Sequence, residues 1–570
     1  MKSSFKYPIL LILIFLIFIG NIVYWQSQNK AYFDYDSLRH YLITRHVFDE
    51  YKEGLAGFFS RVEQHLDRHP LGLYLFTSFF YFIIPPTQAN TAIMSNFVFL
   101  LFLLFSVYQL GRLIKDEMTG FLACVMLLLY PIISNQAKIY MLDLPLTAMV
   151  ALNIYLLIKT EYLRNKKYVV LFIVSYLAGM LVKPNFMCFT IGPLLYVTLI
   201  SIKKSKVDIR FLSIAGLTFL YAVITTVFFT KNRLMGSSKH LLDFLKGSFV
   251  IVTWTPDNLR YAPFFINKIR GMLWYVWGFI NWQGSLLFFI FFIRGLCSYL
   301  KSDNRYKKIV IAWILSSYMI LAWFLYAIDF DMEVTGARYS MPLLTGLAIL
   351  TSYGLTSIKK NALRRISIAL VLIAGLLQNL FLSYPLLKKP LELKINFKQD
   401  KYHILPSYIN IFSTRPLIIS GSSWLSQPQD KSMLYKEIED VFFYIDKFYK
   451  DKKIRVLLLS DNADWWHLKY LSHENRKDME FICDYPRSIM TMLNKDQLSR
   501  FIEQMDFIID IKNSFSEPYV SRLQRLLKKL FAANKDKFEL IRESGHYRIF
   551  KNRRLGFPSV FLQLYYNCIA

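Results

Sequence analysis

The chain has 570 residues, of which 54% are apolar, 17% are Phe, Tyr or Trp and only 19% are charged. A soluble chain carries about 25% charged residues, so 49 Phe and 37 Tyr exclude a soluble multidomain protein and a disordered chain, and five Cys exclude a disulfide-stapled module. Lys and Arg number 68 against 40 acids, a net charge of +28, yet they fall in short clusters between apolar runs, where membrane topology and anionic lipid explain them without nucleic acid.

Lys2 and Lys6 precede an apolar run from Pro8 to Trp25, and the Gln26-Ser27-Gln28-Asn29-Lys30 that follows has no small-x-small cleavage pattern. This run reads as an uncleaved anchor with a cytoplasmic N-terminus. The first loop, 26–89, is outer; it contains an apolar piece, Leu71 to Ile84, ended by Pro85-Pro86. Fourteen helical residues reach ~21 Å against a hydrocarbon core of ~30 Å, so this piece is expected to lie at the interface or re-enter rather than span.

Ten longer apolar runs follow, at 90–111, 118–134, 144–159, 168–182, 186–202, 211–230, 272–293, 309–328, 342–358 and 366–385, which with the anchor predict eleven spans. Every second connection is basic: Arg112 and Lys115; Lys159, Arg164, Lys166 and Lys167; Lys203, Lys204, Lys206 and Arg210; Arg294, Lys301, Arg305, Lys307 and Lys308; Lys359, Lys360, Arg364 and Arg365. Those face the cytoplasm, and the alternate connections with single cations, Lys138, Lys183 and Arg338, face outward. The long outer loop 231–271 is the basic exception, and long loops weigh less in the rule. Eleven spans leave residues 391–570 outside, after a transmembrane domain of residues 1–390. In that tail short β-type runs (416–420, 455–460, 507–511, 547–551) alternate with helical stretches such as 518–533, the pattern of a C-terminal α/β extracytoplasmic domain. Gly421-Ser422-Ser423-Trp424 does not fit a nucleophile turn, and the chain has no nucleotide-binding P-loop, GxGxxG or CxxC.

Four outer features carry ionisable groups: Asp34-Tyr35-Asp36-Ser37 in the first loop, Asp67-Arg68-His69-Pro70 before the interfacial piece, Asp143 ahead of Pro145, and the cations of Lys183-Pro184 and Arg338-Tyr339. Singly, each has a plain reading: Asp36, Ser37 or Asp143 as a helix cap, Asp67 and Arg68 as interfacial charges, Lys183 and Arg338 as snorkelling cations. Together on one face they supply cations for a phosphate and a carboxylate for an acceptor hydroxyl. His65 and His69 flank Asp67 at i, i+4 spacing, but Pro70 holds His69 extended, so the two imidazoles need not share a face; no metal ligand or cofactor is assigned, with a divalent metal as the lesser alternative. Asp464-Trp465-Trp466-His467 reads as an aromatic pair in a core before it reads as a sugar platform, and Cys483 and Cys568 are both in the outer tail.

The order of these features over residues 1–360 resembles the GT-C glycosyltransferases, and most nearly the dolichyl-phosphate-mannose protein mannosyltransferase family (glycosyltransferase family 39), which includes the bacterial lipid A aminoarabinose transferases. Asp36 stands where that family has the first Asp of its Asp-Glu pair, with Ser37 in place of the Glu; Asp67 to Leu71 stands on its Glu-Lys-Pro-Pro-Leu segment, with His69 in place of the first Pro. Asp143 matches the aspartate opening the fourth helix, Lys183-Pro184 the family's Lys-Gly, and Arg338-Tyr339-Ser340-Met341-Pro342 its Arg-Tyr-x-x-Pro. The resemblance implies an inverting glycosyltransferase of the bacterial cytoplasmic membrane, acting on the outer face from a polyprenyl phosphate sugar donor to a lipid, glycan or protein acceptor. Asp36, Asp67 and Asp143 would be its catalytic carboxylates and Arg68, Lys183 and Arg338 its phosphate-binding cations. A transporter and a non-catalytic envelope scaffold are the alternatives from other classes.

Overall fold

The computed structural model describes residues 6–28, 35–54, 70–84, 90–203, 264–283, 285–324, 338–383, 392–398, 408–413, 454–459, 479–482, 505–511, 531–544 and 547–553, with a few single residues between them. The chain divides into two units, one of Met1–Lys30 with Ile43–Ser426 and the other of Ala31–Leu42 with Gln427–Ala570.

The described residues of the first unit are mostly helical. The anchor is α1 (Lys6–Gln28), and α2 (Tyr35–Lys52) begins in the second unit and continues into the first. The piece before Pro85 forms α3 (Gly72–Ile83), only 12 residues long. Next come α4 (Asn90–Ile114), α5 (Glu117–Leu129), α6 (Pro131–Ala137), α7 (Asp143–Lys159), α8 (Lys166–Val182) and α9 (Phe186–Lys203). After residues 204–263 follow α10 (Phe264–Gly278), a π-turn (Phe279–Gln283), α11 (Leu286–Leu300), α12 (Lys307–Phe324), α13 (Met341–Thr356) and α14 (Asn361–Ser383). Among the described residues four helices are long and apolar enough to cross a membrane, α1, α4, α9 and α14, or up to six if each of two bent pairs is one span.

Those bent pairs correct two of the expected runs. The run 118–134 is not one helix: α5 stops at Leu129 and α6 leaves at 70°, because Pro131 has no N–H for the ladder of α5 but is well placed in the first turn of a new helix. The run 272–293 is interrupted by the π-turn and by Ser285, which caps α11 by accepting the Phe288 N–H. The expected span 211–230 lies outside the described residues.

Small residues let helices approach. A Cβ on Gly111 of α4 would run into Gly120 of α5, and one on Gly295 of α11 into the Leu350 carbonyl of α13. Two faces of the bundle emerge from polar contacts. At one, Lys115 Nζ donates to Thr356 and Ser357 hydroxyls at 2.9 and 3.1 Å and Asn304 Nδ2 to the Ile114 carbonyl at 2.8 Å, which gathers the connections after α4, α11 and α13. At the other, Asn379 of α14 donates to the Leu129 carbonyl at 2.6 Å, and the ring of Tyr130 meets those of Phe279 and Phe288 at 5.8 and 5.2 Å.

A hairpin, β1 (Glu392–Asn396) and β2 (Tyr408–Ser413), follows α14 within the same unit. The second unit contains a five-stranded mixed sheet in the order β4-β3-β5-β7-β6, from β3 (Ile454–Leu459), β4 (Met479–Ile482), β5 (Phe507–Ile511), β6 (Phe538–Ser544) and β7 (Tyr547–Asn552). β3 is parallel to β4 and β5, and β7 antiparallel to β5 and β6. Val456, Ile508 and Ile509 are fully buried in it, and Phe531 stacks edge-on against Phe538 and Phe550. Strand runs read at 455–460, 507–511 and 547–551 coincide with β3, β5 and β7; the run 416–420 and most of 518–533 lie outside the described residues.

Candidate functional site

The break at Tyr130 turns the chain sideways, and the turn Lys138–Leu142 brings it back into α7. That turn is held from several helices at once. The Tyr140 hydroxyl donates to Thr77 Oγ1 of α3 at 2.9 Å and accepts from Thr44 Oγ1 of α2 at 2.8 Å. Asn96 of α4 donates to the Ile139 carbonyl at 2.8 Å, and Gln26 of α1 to the Lys138 carbonyl at 3.4 Å. Lys138 itself is 1% exposed with its ammonium 5.4 Å from the centre of the Trp25 ring, and burial pushes its pKa down to about 7.

The residue so fixed is Asp143. It is the first residue of α7, but it does not cap the helix: the N-cap position is Leu142, without a side-chain bond. The carboxylate is 2% exposed and points at two cations from elsewhere in the chain. Lys183 Nζ donates to Oδ1 at 2.6 Å, and Arg338 Nε lies 3.8 Å from Oδ2. Both partners are themselves largely buried, their side chains 10% and 12% exposed. The ring of Tyr339 lies under both, its centre 5.3 Å from Lys183 Nζ and 5.4 Å from Arg338 Cζ, close enough for cation–π attraction.

Local sequence explains each position. Lys183 ends α8 in an extended conformation (φ −159°, ψ 127°), as a residue before proline should, and Phe186 restarts the chain as α9 by donating its N–H to the Lys183 carbonyl at 3.0 Å. Arg338, Tyr339 and Ser340 form a 3-10 turn into α13, whose Pro342 occupies the first turn. Asp143 in the first turn of α7 also meets the positive end of that helix. Lys183 and Arg338 thus set two cations about the Asp143 carboxylate in a place largely closed to water, where charges are held by pairing.

The structure thus brings together Asp143, Lys183 and Arg338. Asp36 is the second residue of α2. Asp67, Arg68, His65 and His69 lie outside the described residues, as do Asp464 to His467, Cys483 and Cys568. Among the described residues no three His, Cys, Asp or Glu side chains are grouped to hold a metal ion. The sequence reading missed Thr44, Thr77, Asn96 and Tyr140. Their types are ordinary in apolar helices, and the one signal available was the polar Ser134-Asn135-Gln136 stretch between apolar runs, which marks a segment that must find partners inside the bundle.

No protein-family model matches the sequence, and no curated protein matches it. Among solved structures, ArnT from Cupriavidus metallidurans bound to undecaprenyl phosphate aligns with a TM-score of 0.57 at 11% identity, over 98% of this chain and 100% of that one. ArnT from the same organism in the apo state gives 0.53 at 11% identity, over 96% and 98%. The apo oligosaccharyltransferase of Archaeoglobus fulgidus gives 0.49 at 11% identity, over 98% of this chain and 76% of that one. The chain has the GT-C fold of a membrane protein, the fold that the sequence resemblance implies.

Proposed function

We propose that the chain is an integral membrane glycosyltransferase that passes a sugar from a polyprenyl phosphate donor to an acceptor hydroxyl on the outer face of the bacterial cytoplasmic membrane. The observation that supports this reading is the buried cluster of Asp143, Lys183 and Arg338, which puts two cations together in one place, in a fold shared with a protein bound to undecaprenyl phosphate. In this proposal the chain crosses the membrane eleven times, residues 1–390 form the catalytic domain, and residues 391–570 form an outer α/β domain.

Lys183 and Arg338, joined by Arg68, hold the donor phosphate. Asp143 takes a part different from that of a proton acceptor: both its oxygens face cations, so it orients Lys183 and Arg338. Asp36 accepts the acceptor's hydroxyl proton as that oxygen bonds to the anomeric carbon, and Asp67 is a second carboxylate assigned to the reaction. The bond from the anomeric carbon to the phosphate oxygen breaks, and its electron pair leaves with the lipid phosphate, whose added charge the cations stabilise. Direct displacement inverts the anomeric centre.

Transfer measured in proteoliposomes with a panel of polyprenyl phosphate sugars tests this. Wild type is expected to use at least one donor, and Arg338→Ala to lower both turnover and donor affinity by roughly the 1.5–3 kcal/mol of a contact to a charged group. Absence of transfer from every donor, with donor lipids also failing to bind, overturns the proposal. The bent helix pairs favour one other reading, since transporters use broken helices; counterflow of a solute without any transfer would establish it.

A further inference from the structure

We infer that the β1–β2 hairpin is a membrane-interface foot whose apolar row is embedded at the boundary of lipid head groups and acyl chains. Residues 393–398 are exposed, yet Leu393, Ile395 and the adjoining Phe397 are apolar at every second position and 59%, 48% and 39% exposed. Period two puts those three on one face of the strand, and Lys394 and Asn396 on the other. A row of this kind in water would be a template for aggregation; beside a bilayer it has an apolar phase to enter.

The hairpin's place in the first unit supplies that phase. The strand begins nine residues after Ser383, the end of the apolar helix α14, whose Leu370, Ile373, Leu376 and Leu380 are exposed along its length. β2 packs on the π-turn Phe279–Gln283 and on α11. Asn379 and the Phe279 and Phe288 rings place these elements around Leu129 and Tyr130, at the end of the bundle where α14 finishes. The exposed row therefore stands at the end of the bundle where the exposed apolar face of α14 finishes, level with the interfacial layer, which apolar faces enter by about 5–10 Å.

Single cysteines at 393, 394, 395, 396 and 397, in a full-length chain whose native cysteines are replaced, carry nitroxide labels in proteoliposomes of phosphatidylethanolamine and phosphatidylglycerol. Collisions with oxygen are expected to dominate at 393, 395 and 397 and collisions with a water-soluble nickel chelate at 394 and 396, so that their ratio alternates several-fold with period two. Nickel access at all five positions would put the hairpin in water and overturn the inference, and shielding of all five from both reagents would replace lipid by a protein partner. In a Leu393→Asp/Phe397→Asp variant the label at 395 should change from oxygen to nickel access while the protein stays monodisperse; retained oxygen access would also overturn it. This reading depends on the chain being a membrane protein and not on the transfer reaction.

Discussion

Asp143 is the shared partner of two largely buried cations. With Lys183 at 2.6 Å and Arg338 at 3.8 Å it satisfies part of two buried positive charges, and its removal takes from Lys183 the carboxylate that its ammonium donates to. Breaking a buried pair from one side costs about 3–5 kcal/mol, so Asp143→Ala should lower the thermal midpoint in detergent sharply. Asp143→Ala with Lys183→Met should recover part of it, with a coupling of about 0.5–3 kcal/mol, because the two groups share one bond; independent effects would separate Asp143 from Lys183 in function as well. The proton acceptor is predicted at Asp36 instead. Asp36→Asn should reduce transfer by ~10²–10⁴-fold with donor binding unchanged, and near-normal turnover would leave Asp36 the role of a residue in the first turn of α2. Of this site, the three ionisable residues were legible because each stands beside a proline or a helix boundary in an apolar chain, where a charge is conspicuous. Their meeting was not legible, since Lys183 is 40 residues from Asp143 and Arg338 comes from a separate connection. Tyr339 was legible only as part of a motif, because a tyrosine among 37 announces nothing until two cations are found over its ring.

Helices were the most readable feature, and their interruptions the least. Apolar runs at 144–159, 168–182, 186–202 and 342–358 reappear as α7, α8, α9 and α13 within a few residues, because a lipid-exposed backbone must satisfy its own hydrogen bonds and an apolar run has little else it can be. Hydropathy is blind to direction, so it runs unbroken through the bend at Tyr130, of which Pro131 was the local sign; at the π-turn the polar Asn281-Trp282-Gln283-Gly284-Ser285 was the sign, and the run 272–293 passes over it. Helix pairing is set by small residues that composition does not flag. Where α11 crosses α13, Gly295 meets Leu350 and Gly354 backbone directly, and a methyl group there can be admitted only by moving a helix. Gly295→Ala should therefore destabilise by about 1–3 kcal/mol or more. Gly20→Ala on α1, where an added Cβ meets nothing within 4 Å, should be neutral or stabilising by up to about 1 kcal/mol, since alanine is the better helix former. Equal thermal midpoints for the two variants would mean that α11 and α13 do not depend on this contact.

At the scale of the molecule, the geometry separates two ends of the bundle and the charges say which is which. Lys115, Thr356, Ser357 and Asn304 gather at one end the connections after α4, α11 and α13, and these are the connections that carry Arg112, Arg305, Lys359 and Lys360. Asp143, Lys183 and Arg338 gather the intervening connections at the other, each contributing a single cation in place of a cluster. Lys and Arg near helix ends hold a loop on the cytoplasmic side, so the site-bearing end is predicted to face outward. Because α14 runs from the basic connection at Lys359 and Lys360 towards Asn379 and Leu129, the tail that follows it should share the side of the site. Cysteines placed one at a time at Ser357 and Ser472, in a chain otherwise free of cysteine, give opposite results in intact cells if this is right. A membrane-impermeant maleimide should label position 472 before lysis and position 357 only after it. Labelling of 357 alone in intact cells would invert every connection together. It would carry Asp143, Lys183 and Arg338 to the cytoplasmic side, where nucleotide sugars are within reach and the case for a lipid-linked donor loses its topological support.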